Sequence, residues 1–507
     1  MNADYPLEIK EKPSRRRLPE DQKIVFPGEE CDTTQMTRHL LLTLVGFLIT
    51  SFASAATYEV GPGKPHAEVE NVPWENVAPG DTVLIHWRAQ PYASKFVLAV
   101  PATQSQPFVL RGVVGPGGEL PVITGENAQT RTALNFWNEN RAVIKIGGSN
   151  NPPDATPAWI TVENLDIRSA RPPFQYFSPR GNGAYINNAA SIYVEKGQNI
   201  TIRNCVLRDS GNGLFVANQS SNVVVEGNWI YDNGNVGSIY EHNSYTEANG
   251  ITFQFNRYGP LRTGCLGNNL KDRSAGIVVR YNWIESGNRQ LDLVESGSAS
   301  LINLPSYRST FVYGNILIEP DGAGNSQIVH YGGDNGDTST YRKGTLHFFN
   351  NTVVSTRSGN TTLMRLSSSG ESADARNNIV SVTAAGSSLG MIDSEGALRM
   401  RNNWFKQGWV RSHGNASANV VDEGATIAQA APGFVDAAGQ NFQLVASSSC
   451  INAGTANAAG ASAHPVLREY QLHRGSTLRP SAGTMDLGAF EFGDSAPGAP
   501  TGFRLQP

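Results

Sequence analysis

The residues that could carry chemistry crowd into one interval. From Tyr240 to Ser274 the chain reads YEHNSYTEANGITFQFNRYGPLRTGCLGNNLKDRS, gathering Glu241, His242, Tyr245, Glu247, Arg257, Arg262, Asn269, Lys271, Asp272 and Arg273. The chain as a whole is only 17% charged, so this concentration needs a cause. If Asn269 to Arg273 is extended, period-two geometry sends Asn269, Lys271 and Arg273 to one face. A cationic face beside a His and a Tyr suits an acidic glycan. Breaking a uronate glycosidic bond by β-elimination takes three functions. Arg, a cation or placed amides neutralise the carboxylate; a Lys, His or Tyr removes the adjacent proton; a donor protonates the leaving oxygen. Lys271, His242 and Tyr245 are the side chains here that could remove or donate a proton, and Arg273 or His242 could neutralise the carboxylate. Positive neighbours, Arg273 and Arg289, are expected to push the Lys271 pKa down.

Other members have supporting roles. Arg257 and Arg262 are expected to bind substrate or brace their loop, Arg289 and Asn269 to bind substrate. His330, in QIVHYGGDNGD, falls on a later repeat whose facing the pattern leaves open; it too is a substrate-binding candidate. Glu241, Glu247 and Asp292 are the oxygen donors available to a divalent cation such as Ca2+, without forming a tight ligand cluster. Plainer readings stand beside these: Lys271 and Arg273 as an exposed turn paired with Asp272, and His242 as a side chain bonding its loop backbone.

The element that must position them is a repeat. ITVENLDIRS, ITIRNCVLRD, VVVEGNWIYD, IVVRYNWIES, TFVYGNILIE, LHFFNNTVVS, DARNNIVSV and LRMRNNWF share a short strand, an Asn and an apolar pair. Their asparagines are Asn164, Asn204, Asn228, Asn282, Asn315, Asn351, Asn378 and Asn403, at intervals from 24 to 54 residues. The short intervals match one coil of a parallel β-solenoid, and the long ones a coil with inserted loops. Alternation predicts Ile200, Ile202, Ile277 and Val279 inside, with Thr201, Arg203, Val278 and Arg280 outside. The repeated Asn suits a bend, its amide bonding backbone within and between coils. The fold class is therefore all-β, a single-stranded parallel β-solenoid whose inserted loops form a groove.

Both ends resemble secreted right-handed parallel β-helix proteins. NVAPGDTVLIHWRAQPY (76–92) is similar to their opening coil, and APGFVDAAGQNFQLVASSSCINAG with DLGAFEF (486–492) to their closing segment, with Ser449-Cys450 replacing the usual Ser-Pro. The central run resembles the β-helix polysaccharide lyases of the chondroitinase B and alginate lyase group: Lys271, Ser274, Tyr281-Asn282 and Leu291-Asp292-Leu293 match in order. That resemblance implies Lys271 as base. The group's acidic calcium ligands precede the lysine, yet Thr263 to Leu270 holds no carboxylate; its catalytic arginine follows the Leu-x-Leu, where this chain has Val294. The calcium site does not carry over, and the arginine's task passes to Arg273 or Arg289.

Composition bounds the rest. The chain has 507 residues, 39% hydrophobic, 52 Gly and a net charge of −4, with no basic run of the kind a nucleic acid requires. Residues 1–35 are polar and Pro-containing, and read as an extension ahead of the true start. Residues 36–55 read as a signal peptide with an apolar core from Leu40 to Thr50 and cleavage after Ala55. The alternative is a disordered tail before an internal anchor. That core is short for a membrane span. A secreted or periplasmic monomer follows, with a β-helix domain over 56–492, a tail over 493–507 and no span after signal removal. Cys205, Cys265 and Cys450 are too few for a disulfide scaffold, although Cys265 and Cys450 could pair. Three functions compete: a polysaccharide lyase on an acidic polysaccharide, a glycoside hydrolase, and a non-catalytic adhesin or glycan-binding module. A hydrolase needs paired carboxylates about 6.5–9.5 Å apart for inversion, and no Asp-Asp pair occurs in the central region.

Overall fold

The computed structural model describes residues 55–414, 419–480 and 483–493. The extension over 1–35, all of the signal peptide but Ala55, and all of the tail but Gly493 lie outside them. Backbone pairing runs as three stacks of short parallel strands. The first passes from Ser94–Leu98 through Ala142–Ile146 to Leu270–Asp272, Leu291–Leu293, Gln327–Tyr331, Thr361–Leu366 and Leu389–Ser394. The second includes Thr82–His86, Ala275–Arg280, Ser309–Tyr313 and Thr345–Phe349. The third is an 11-stranded stack from Val122–Thr124 to Ile427–Gln429. Three long strands, Ala190–Arg203, Asn212–Glu226 and Ser244–Gln254, run through the first two stacks and join them. The chain is a right-handed parallel β-helix.

Alternation builds the core as the sequence predicts. Ile200, Ile202, Ile277 and Val279 are fully buried in one continuous apolar cluster. Thr201, Arg203, Val278 and Arg280 point outward and are partly exposed. Burying such β-branched side chains supplies roughly 1.5–3 kcal/mol each.

The bend between the second and third stacks carries the asparagine ladder. Asn228, Asn256, Asn282, Asn315, Asn351, Asn378 and Asn403 are all fully buried. The Asn315 amide oxygen accepts the Asn282 backbone N–H at 2.9 Å and its Nδ2 at 3.0 Å; Asn351 does the same for Asn315 at 3.1 and 3.0 Å. The ladder corrects the sequence phase twice. Asn256 belongs to it, dividing the longest interval into steps of 28 and 26 residues. Asn164 and Asn204 stand one position early, at positive φ of 59° and 54°. Gly227, Phe255 and Tyr281 take that left-handed corner in later coils, and at the ladder position after Asn204 the backbone N–H of Cys205 donates to Asn228.

The C-terminal segment does not continue the coil. It folds back over the outer face of the third stack, where Phe442, Tyr470, Ala489 and Phe490 cover Trp283, Ile316 and Val354. Leu444, Cys450 and Leu487 cover Ile379 and Trp404. Cys450 lies buried here, and Cys205, Cys265 and Cys450 are all free thiols, so Cys265 and Cys450 are not paired. Among the described residues no helix is long and apolar enough to cross a membrane.

Candidate functional site

The outward residues of the first stack fall into one column, because strand register aligns successive coils at about 4.8 Å. Lys145 pairs with Tyr193, Tyr193 with Phe215, Phe215 with Tyr245, and Tyr245 with Lys271. The column continues through Asp292, His330, Arg365 and Asp393. The alternate positions Leu270, Leu291, Val329 and Met364 are fully buried in the core. Strand alternation therefore turns Tyr245, Lys271, Asp292 and His330 out together, one per coil.

Lys271 is nearly enclosed. Its Nζ donates to Asp292 Oδ2 at 2.8 Å and to Asp334 Oδ2 at 2.9 Å. Asp292 has no side-chain exposure, whereas Asp334 is 42% exposed. Asp292 also accepts from Asn268 Nδ2 at 2.7 Å and from His330 Nδ1 at 2.8 Å. The other ring nitrogen of His330 meets Ser367 Oγ at 2.8 Å. Burial works to strip the Lys271 proton, but Asp292 and Asp334 outweigh it and lift the amine above its ordinary range. Burial likewise works to raise the Asp292 carboxyl, but Lys271 and His330 hold it far below the usual carboxylate range. The expected depression of the Lys271 pKa is thus overturned: its nearest neighbours are carboxylates from the next two coils. The exposed-turn reading falls too, since Asp272 is fully buried and pairs with Arg342 at 3.4 Å.

His242 and Tyr245 stand beside the lysine, their rings 5.4 Å apart and at 88°. His242 Nδ1 accepts the Asn268 backbone N–H at 2.9 Å, which leaves the ring proton on Nε2. Burial, reinforced by Lys271, drives the His242 pKa down to about 3. The ring is a neutral N–H donor throughout the physiological range. Burial raises the Tyr245 phenol, partly offset by Arg273 and Lys271. The Arg273 guanidinium lies 5.4 Å from the Tyr245 ring centre.

The structure separates the remaining sequence candidates. Arg289 approaches the column, donating to Gln327 at 3.0 Å. Asn269 does not: its side chain turns into the corner, donating to Glu285 O and Ser286 O and accepting from Asn243. Asn268 holds the site instead. Arg262 braces its own loop, bound to Asp209 at 2.7 Å and to the Gly234 and Asp232 carbonyls. Arg257 belongs to the third stack, 4.9 Å from the Trp229 ring centre. Glu247 accepts from Ser296 and Gly297, and Glu241 is not grouped with Asp292, so the expected cation ligands do not assemble.

Asp292, His330 and Asp334 form the described donor group, with ligand atoms within 4.8 Å of one another. The Lys271 ammonium already bridges both carboxylates, and a hard cation such as Ca2+ prefers oxygen donors. The residues do not fit Ca2+. Sequence reasoning missed Asp334, Asn268 and Glu295. Asp334 lies in the quoted GGDNGD run after His330, four residues beyond it. Burial and then Asp334 raise the Glu295 carboxyl, which accepts the Asp334 backbone N–H at 2.8 Å. Behind them Arg342, with no exposure, donates to the Val294 and Ser274 carbonyls and anchors the loop bearing Asp334.

Residues 122–324 match the family model for the right handed beta helix region. No curated protein sequence matches the chain. Among solved structures the chain is similar to an alginate lyase from Paenibacillus sp. str. FPU-7, at 12% identity and a TM-score of 0.43 over 68% of this chain and 97% of that one. It is similar to pectate lyase Pel9A, at 15% identity and a TM-score of 0.47 over 87% and 97%. It is also similar to a lacto-N-biosidase from Eubacterium ramulus, at 12% identity and a TM-score of 0.39 over 74% and 68%.

Proposed function

We propose that the protein is a polysaccharide lyase that cleaves a uronate-containing glycan by β-elimination outside the cytoplasm, as a monomer. The observation that carries this reading is the adjacency of Tyr245 and Lys271 on neighbouring strands, flanked by Arg273 and a neutral, proton-bearing His242. Arg273 and His242 Nε2–H meet the substrate carboxylate and take up the charge that develops on it. Lys271, in its neutral form, removes the proton from the carbon beside that carboxylate. The electron pair forms the new carbon–carbon double bond as the glycosidic carbon–oxygen bond breaks. Tyr245, kept protonated by burial, donates to the leaving oxygen. Asp334 is the more exposed of the two carboxylates on Lys271, and its release frees the amine to act.

One observation favours a second reading. Glu295 stands beside Asp334, accepting its backbone N–H at 2.8 Å, and the two supply the pair of carboxylates a glycoside hydrolase needs. Incubation with acidic polysaccharides separates the readings. A lyase produces an unsaturated uronate absorbing in the near ultraviolet, and a hydrolase produces reducing ends without it. A binding module produces neither. Reducing ends without absorbance refute the lyase reading.

A further inference from the structure

Among the described residues, four arginines carry a shielded guanidinium nitrogen with no hydrogen-bond partner: Arg141, Arg273, Arg289 and Arg365. All four lie along the outward column of the first stack. Elsewhere guanidinium groups are commonly neutralised, as Arg111 and Arg203 are by Glu163 and Arg208 is by Asp166. Shielded polar groups without partners are rare in folded proteins, and their alignment on one strip points to a ligand that supplies the acceptors.

Arg141 is the informative member because it stands apart from the proton-transfer cluster. Its guanidinium lies 4.6 Å from the ring centres of both Tyr193 and Phe215. These rings meet edge-on at 5.3 Å, and Phe215 meets Tyr245 at 5.1 Å, so an aromatic track leads from Arg141 to the Tyr245–Lys271 pair. Both Nε and Nη2 of Arg141 lack partners, and it makes no ion pair among the described residues. The nearby carboxylate, Glu195, is already held by Lys145 at 2.9 Å and by Asn138 Nδ2 at 3.1 Å, as well as by Trp137. Arg141 precedes the strand Ala142–Ile146, but its guanidinium reaches the level between Tyr193 and Phe215, about two coil spacings or 10 Å along the column from the Tyr245–Lys271 pair. That exceeds the reach of the sugar directly flanking a bond cleaved there.

Resting on the lyase reading, we infer that Arg141, Tyr193 and Phe215 form a distal subsite. It binds the carboxylate and ring face of a uronate two to three residues from the cleaved bond. The substrate is then a polyuronate lying along the helix axis, with acidic groups on successive residues. Phe215 and Arg141, both partly exposed, meet the sugar ring and its carboxylate, while the buried Tyr193 ring backs the guanidinium and holds it in place.

The test compares wild type, Arg141→Met, which keeps the aliphatic stem, and Arg141→Lys, which keeps only the charge. Probes are tri- and hexasaccharides of mannuronate, guluronate and galacturonate. Turnover is followed by near-ultraviolet absorbance and binding by calorimetry, with thermal melts of each variant. Losing a charge-assisted contact should raise KM for the cleaved hexasaccharide roughly tenfold in Arg141→Met, at unchanged kcat. The trisaccharide, which can be cleaved with a single residue on that side, should be barely affected. Arg141→Lys should fall between, and melting should be unaltered. An unchanged hexasaccharide KM in Arg141→Met overturns the subsite and leaves the lyase reading standing. Hexasaccharide bound but not cleaved, and weakened by Arg141→Met, supports the subsite and removes the lyase reading. No uronate oligosaccharide bound by wild type overturns both.

Discussion

Replacing Asp334 by Asn should move the pH dependence of turnover toward acid. Lys271 must be neutral to accept a proton, and Asp292 and Asp334 together hold it protonated. Asp334 Oδ2 lies 2.9 Å from Nζ, with its side chain 42% exposed. An ion pair near a protein surface is worth up to about 4 kcal/mol before screening. Exposure on that scale reduces it to about 1 kcal/mol, or just under one pKa unit at about 1.36 kcal/mol per unit. The sign follows directly: removing a carboxylate that raises an amine lowers that amine. The rising limb of kcat/KM against pH, expected on the alkaline side in wild type, should therefore shift about one unit toward acid in Asp334→Asn. The assay is initial rate by near-ultraviolet absorbance across pH 6–11 at fixed ionic strength. The position of the limb is the readout, since its height also reflects substrate binding. A limb that stays in place, or moves toward alkali, refutes Lys271 as the base. Asp292 is unsuited to the same experiment, because its loss strands both Lys271 and His330 in a buried setting.

Other outcomes follow from the same contacts. Asn315→Ala removes an amide that accepts from Asn282 and donates to Val279 O and Asn351 Oδ1. Leaving those buried groups unpaired should cost about 3 kcal/mol in denaturant unfolding. A chelator should leave turnover intact, since the Lys271 ammonium occupies the position between Asp292 and Asp334; loss of activity restored by Ca2+ would contradict that. With the His242 pKa near 3, no limb of the rate profile should fall between pH 5 and 8 on its account, and His242→Gln should leave the shape there unchanged.

The architecture was legible because a β-helix writes its period into the sequence. Inward β-branched residues and a buried amide recur at one phase, and six of the eight named asparagines occupy the ladder. The slip at Asn164 and Asn204 came from the corner beside it, where Asn is also suited to positive φ. Asn256 escaped because its coil carries FNRY in place of an apolar pair. The site was half legible. Lys271, Tyr245, His242 and Arg273 lie within one short interval, so composition alone exposed them. Asp292 and Asp334 meet Lys271 across 21 and 63 residues, and His330 meets Asp292 across 38. Finding that meeting requires the register of the next two coils, which inserted loops of unequal length conceal. The charge on Lys271 was misjudged for the same reason. Neighbours in sequence were cationic, while neighbours in space are anionic.

The decisive experiment exposes an acidic polysaccharide to wild type, Lys271→Ala and Tyr245→Phe, and records the near-ultraviolet product beside calorimetric binding. Wild type should generate the unsaturated uronate, and Lys271→Ala should bind the glycan while generating none. Tyr245→Phe should slow turnover by roughly 100-fold, the contribution of one proton-transfer group. Undiminished product from Lys271→Ala would contradict proton abstraction by this lysine, whatever the glycan.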